Sequence, residues 1–126
     1  MSSINPFEIL SKLENGEITK SSALFYLRSI LDNSEDVMMR IDTVEMVGII
    51  KPESAEYFEF LENLLITEKN YQVRGLTAKV IIENYPKRAY KPIQWILERE
   101  KDELCLELIS KAIGRSSNPN LKTLLS

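Results

Sequence analysis

Histidine is absent from this 126-residue chain, which removes the usual general base near neutral pH, the commonest nitrogen ligand for metals and the ordinary pH switch. Cysteine occurs once, at Cys105, so no internal disulfide can form, as suits a reducing compartment. Glycine and proline are scarce, four and five residues, and they fall between apolar periods. That punctuation fits helices joined by short turns and argues against an all-β fold. Long apolar runs are missing too: stretches such as Val80-Ile81-Ile82 fall far short of the roughly 20 residues that cross a bilayer. With no basic-then-apolar leader at the N-terminus, the expectation is a cytoplasmic protein without a membrane span. No glycine-rich phosphate loop, paired-cysteine motif or nucleophile elbow occurs, so the chain is expected to be non-catalytic, with no metal and no cofactor.

What is present is ordinary globular composition, 44% hydrophobic and 28% charged, in a length that suits one domain. The net charge of −3 is unevenly spread. Residues 1–70 hold 13 acidic and 6 basic side chains, and residues 71–126 hold 6 acidic and 10 basic. Such a two-ended molecule can steer a charged partner or associate head to tail, in a salt-sensitive way.

The chain also repeats itself. The stretch Tyr71 to Ile82 has an earlier version in which Met39-Arg40 matches Val73-Arg74, Thr43-Val44 matches Thr77-Ala78, and Met46-Val47-Gly48 matches Val80-Ile81-Ile82. A worn later version places Cys105-Leu106, Ile109-Ser110 and Ala112-Ile113-Gly114 in the same columns. A recurring unit of this length, apolar at helical spacing, predicts stacked antiparallel helical hairpins in an all-α fold of about 3–4 repeats. The divisions fall at 1–33, a less regular capping hairpin, then 34–70, 71–101 and 102–126.

Local signals place the helices. Asn5-Pro6-Phe7-Glu8 reads as a capped helix start, with Phe7, Leu10 and Leu13 on one face and Gly16 at the stop. A second helix opens near Thr19 or Ser21 and buries Ala23, Leu27, Ile30 and Leu31. Ser34 reads as the cap of a third helix over 35–50, with Val37, Ile41, Val44, Val47 and Gly48 near one face. Pro52 breaks it and opens a fourth to about Lys69, apolar at Tyr57, Phe60, Leu61, Leu64 and Leu65. Asn70 caps Tyr71 to Asn84, which Pro86 stops. A sixth helix starts near Pro92 with Ile93, Ile96 and Leu97 inward. A seventh follows Asp102 and ends at Gly114, and Asn118-Pro119 begins a short last one. Seven or eight helices are expected.

The unit with Val73-Arg74 opening its first helix, a small residue at Ala78 and Pro92-Ile93-x-x-Ile96-Leu97 opening its second resembles a HEAT repeat over roughly residues 34–114. The resemblance implies a right-handed α-α superhelix whose second helices line a concave, partner-holding side. It also implies that Arg40 and Arg74 bond along the stack to acidic groups or helix ends. The third unit has Leu106 in that column, so the ladder is interrupted there.

Function is sought on the surface. Glu53, Glu56, Glu59 and Glu62 form an acidic face on a regular helix, which offers neither the loop oxygens of a calcium site nor the pocket that splits catalytic carboxylate pKa values. Lys79, Lys87, Arg88, Lys91, Arg99, Lys101, Lys111 and Arg115 could attract a phosphate backbone, although Lys87 has Glu83 and Lys111 has Glu107 one turn away. Trp95 points away from Ile93, Ile96 and Leu97 and sits among Lys91, Pro92, Glu98 and Arg99, the setting of an interface anchor; the competing expectation folds it against an adjacent hairpin. Phe58 is the nearest aromatic to share that surface. The reading is a scaffold that binds another protein through its second helices, with Trp95, Phe58, Glu59, Glu62, Lys91 and Arg99 toward the partner. The alternative is a nucleic-acid-binding helical repeat using the basic C-terminal half. Exposed ends also allow a homodimer. Cys105, in an apolar column, is expected to be core.

Overall fold

The computed structural model describes residues 5–126, so the first four residues of the expected N-terminal hairpin lie outside the described part. Among the described residues the fold is all-α, without strands. The helices are α1 (Pro6–Glu14), α2 (Lys20–Asn33), α3 (Val37–Ile50), α4 (Ala55–Thr67), α5 (Tyr71–Asn84), α6 (Tyr90–Arg99), α7 (Glu103–Gly114) and α8 (Pro119–Lys122), with a closing 3-10 turn at Thr123–Leu125. Contacts divide the chain into two compact units, one ending at Pro52 and the other running from Glu53 to Ser126. The division falls inside the hairpin expected at 34–70.

In the first unit α1, α2 and α3 pack on one another. Asn5 accepts a hydrogen bond from the Glu8 amide at 2.9 Å, and its own amide donates to the Glu8 carboxylate at 2.9 Å, which closes a capping box. Gly16, at φ 76°, makes the turn after α1 in the left-handed region that glycine enters without strain. The buried face of α1 differs from the expected one. Pro6 and Ile9 are buried, whereas Phe7 is 54% exposed and Leu10 and Leu13 are half-buried. Ile9 lies one turn from both Pro6 and Leu13 and sets the stripe, and Phe7, two residues from Ile9, points about 160° away from it. On α2 the core residues are Ala23, Leu24, Leu27 and Leu31, and Ile30 is half-buried. Asp36, not Ser34, caps α3, accepting from the Met39 amide at 3.0 Å. Ser34 is the C-terminal cap of α2, and its hydroxyl accepts from the Asp36 amide. Val37 is 41% exposed, while Ile41, Val44 and Val47 are buried as expected.

In the second unit α5 lies along α7, and α4 packs on both α5 and α6. Ser54 caps α4, which begins at Ala55, three residues inside the expected start at Pro52. The α5 bounds and its Asn70 cap match expectation, with Asn70 accepting from the Gln72 and Val73 amides at 2.9 and 3.1 Å. Helix α6 begins at Tyr90, earlier than Pro92, because Pro92 needs no amide hydrogen bond within the first turn. Ile93 and Ile96 are buried there, while Leu97 is only half-buried. Helices α5 and α7 meet at Gly75, where an added Cβ would stand 2.7 Å from Leu108 Cδ1 and 3.3 Å from Leu108 Cβ. The side-chain-free position is what lets the two helices approach.

The internal repeat has a local structural counterpart. Helices α3 and α5 are both 14 residues long, with caps at Asp36 and Asn70. Thr43 and Thr77 are fully buried, and each hydroxyl donates to the carbonyl four residues earlier, Met39 at 2.6 Å and Val73 at 2.7 Å.

Candidate functional site

Two groups of the expected residues are distinguishable by what they touch. Arg40 and Arg74 tie helix ends together. Arg40 donates to the carbonyls of Leu31 at 2.5 Å and Ser34 at 2.8 Å, closing the C-terminal end of α2. Arg74 does the same for α4, donating to Glu68 at 3.3 Å and Lys69 at 2.7 Å. In both cases an arginine reaches back six residues to the C-terminal cap of the preceding helix, where orphan carbonyls and the negative end of the helix dipole favour a cation.

Arg74 does more. Its Nε and Nη2 donate to the two carboxylate oxygens of Glu100 at 2.6 and 2.9 Å, a bidentate pair. Glu100 also accepts from the Asp102 amide at 3.2 Å and from the Cys105 thiol at 3.3 Å. Its side chain is 4% exposed. The Arg74 guanidinium holds the carboxyl down at about 2, well below its ordinary value, against the burial that would raise it. Cys105 is fully buried, and burial followed by the adjacent Glu100 pushes its thiol up to about 12. The thiol stays protonated, as befits a buried core residue. Leu106 stands where a third arginine would, half-buried. Glu100, the C-terminal cap of α6, takes its guanidinium from Arg74 of α5, within the same hairpin.

The second group lies on α4 and α6. On α6 the residues Lys91, Trp95 and Arg99 are spaced by one turn and form a stripe. Lys91 and Arg99 are exposed and Trp95 is half-buried. The Arg99 guanidinium lies 4.4 Å above the Trp95 ring and donates to the Trp95 carbonyl at 3.1 Å, so stacking and a backbone bond hold both side chains. On α4, Glu59, Glu62 and Ile66 share a face; Glu59 is exposed, Glu62 half-buried and Ile66 50% exposed. A hollow of about 190 Å³ is lined by Leu65 and Ile66 from α4, by Trp95, Ile96 and Arg99 from α6, and by Arg74 and Glu100; Glu59, Glu62 and Lys91 do not line it. Ile66, absent from the sequence reading because its flank of α4 looked polar, is thereby brought beside Trp95.

Phe58 does not join this surface. It is 4% exposed, its ring meets Tyr85 edge to face at 5.2 Å, and the Arg88 guanidinium covers it at 4.0 Å. Tyr85 in turn donates to the Ser54 carbonyl at 2.9 Å. The stretch Tyr85-Pro86-Lys87-Arg88 after α5 folds over Phe58, which spacing within α4 alone could not reveal.

The basic set is partly engaged. Lys111 pairs with Glu107 at 2.9 Å, Arg99 approaches Glu98 at 3.6 Å and Arg88 caps Phe58. Among the described residues no group of three or more histidine, cysteine or acidic side chains is placed to hold a metal ion, and no helix is long and apolar enough to cross a membrane. Comparison with protein-family models, with curated proteins and with solved structures gives no match in any of the three.

Proposed function

We propose that the chain is a non-catalytic, cytoplasmic interaction module: a short HEAT-like, right-handed superhelical stack that binds a partner protein through the surface of its second helices. The observation that carries the reading is the half-exposed Trp95, held by Arg99 beside exposed Ile66 at a hollow whose lining also carries Arg74 and Glu100. An aromatic anchor in a shallow hollow, ringed by charges of both signs, is the anatomy of a protein-binding hot spot. The arginine column adds support to the repeat reading, since Arg40 and Arg74 make the helix-end bonds that the resemblance implies. Binding of this kind works by shape and charge complementarity and uses no cofactor.

The test is site-specific crosslinking. With a photo-crosslinking residue at the exposed Gln94, irradiation in cells is expected to give adducts with a protein, and Trp95→Ala should remove them while leaving the melting temperature nearly unchanged. Adducts with RNA, or protein adducts indifferent to Trp95→Ala, would overturn the reading.

A further inference from the structure

The first unit carries an apolar surface that this reading does not use. On α2 the side turned from the core presents Ser22, Phe25, Tyr26, Ser29, Ile30 and Asn33, and none of these is charged over three turns. Phe25 is 68% exposed and Tyr26 40%, with their rings edge to face at 6.0 Å. Neighbouring aromatics this open mark a surface made for a partner more often than one made for water. Beside them Tyr26 and Ile30 wall a hollow of about 420 Å³ that Ile9 of α1 and Met39 of α3 complete, and that ends at Asn33 and Ser34.

The lining indicates the shape of the occupant. It follows α2 for about two turns, from Tyr26 to Asn33, with α1 and α3 contributing the other walls, the kind of groove into which an amphipathic helix lays its apolar face. The rim indicates the charge. Asp32, Glu35 and Asp36 are exposed in the segment bordering the Asn33–Ser34 end. Two cations offset these acids in part, Arg28 paired with Asp32 at 3.8 Å and Arg40 on the Leu31 and Ser34 carbonyls, so the edge keeps one more acid than cation. An apolar groove with an acidic edge complements a cationic amphipathic surface.

We propose that this face of α2 docks a helix of another protein whose apolar stripe is bordered by lysine or arginine. The site is distinct from the Trp95 surface and does not depend on it.

The probes are two synthetic helices of about 18 residues, five turns, with leucine on one face and either lysine or glutamate on the other, measured by fluorescence anisotropy against the full chain. The lysine peptide is expected to bind at least about tenfold more tightly, with affinity that falls as salt is raised and the acidic rim is screened. Phe25→Ser with Tyr26→Ser, verified folded by circular dichroism, should weaken it about tenfold. Glu59→Gln with Glu62→Gln, on the second unit, should leave it within about twofold. Equal binding of both peptides, no binding, or sensitivity to the Glu59 and Glu62 pair instead of the aromatic pair would each overturn the proposal. So would concentration-dependent self-association by ultracentrifugation that Phe25→Ser abolishes, because the face would then belong to a second copy of the chain.

Discussion

Replacing Glu100 by glutamine tests the ion pair at the α4, α5 and α6 junction more cleanly than deleting the arginine. Arg74→Ala leaves a carboxylate of 4% side-chain exposure without its cation, at a cost of about 3–5 kcal/mol, enough to unfold a marginal domain. Glu100→Gln keeps the shape and one acceptor oxygen, and replaces the charge and the other acceptor by an amide donor. The acid dependence then isolates the pair. The Glu100 pKa is depressed from 4.5 to about 2 in the folded chain, so the stabilisation is present above the unfolded value and is lost as pH falls toward the folded one. Linkage over that shift gives at most about 3 kcal/mol, of which about 2 kcal/mol disappears between pH 7 and pH 3. Urea melts followed by circular dichroism at both pH values should show the wild type more stable than Glu100→Gln by about 3 kcal/mol at pH 7 and by about 1 kcal/mol at pH 3. Parallel stability curves for the two proteins across that range would refute the assignment of Arg74 and Glu100 as a functioning pair.

Cys105, with its thiol pushed up to about 12, should resist a thiol-specific reagent at pH 8 in native protein and react at once in urea; rapid native labelling would contradict its burial. Lys51 caps α3 at φ 64°, a left-handed conformation costing a non-glycine residue about 1–2 kcal/mol, so Lys51→Gly should gain about 0.5–1 kcal/mol in urea after the lost chain stiffness is counted. Val80 is 4% exposed, and Val80→Asp should unfold the second unit, read as loss of a cooperative melt. Leu97, only half-buried, should tolerate aspartate with a lowered but intact transition.

Much of the helical frame was legible because its signals are local. Asn5, Asn70 and Asn118 cap the helices they were expected to begin, and the apolar positions of α4 are buried as spacing alone predicts. The errors arise where one local signal stood in for another. Ser34 and Asp36 are both good cap residues, and Ser34 lost the N-terminal role because it already closes α2. Phe7 and Phe58 show the limit for the surface. Each lies at the flank of its helix, and whether a flank is open depends on which distant segment reaches it. The loop carrying Arg88 reaches Phe58 and buries it, whereas Phe7 is left open. The hollow beside Tyr26 was illegible for the same reason, since its walls come from three helices. Lys51 gave no signal, because lysine does not announce a positive φ.

The reach of Arg40 to Ser34 and of Arg74 to Glu68 spans six residues in each case. A joint written in so short a stretch travels with its own segment of chain. Duplicating residues 35–68 in tandem would carry cap, arginine and receiving carbonyl together, so that each added copy arrives with its fastening to the helix before it. Such short-range fastening also needs little loop closure, which favours rapid folding of each copy in turn. The bond from Arg74 to Glu100 crosses 26 residues and is different in kind: it ties the start of one copy's first helix to the end of its second, and a duplicated 35–68 would not carry it, because Ile66 stands in the Glu100 position.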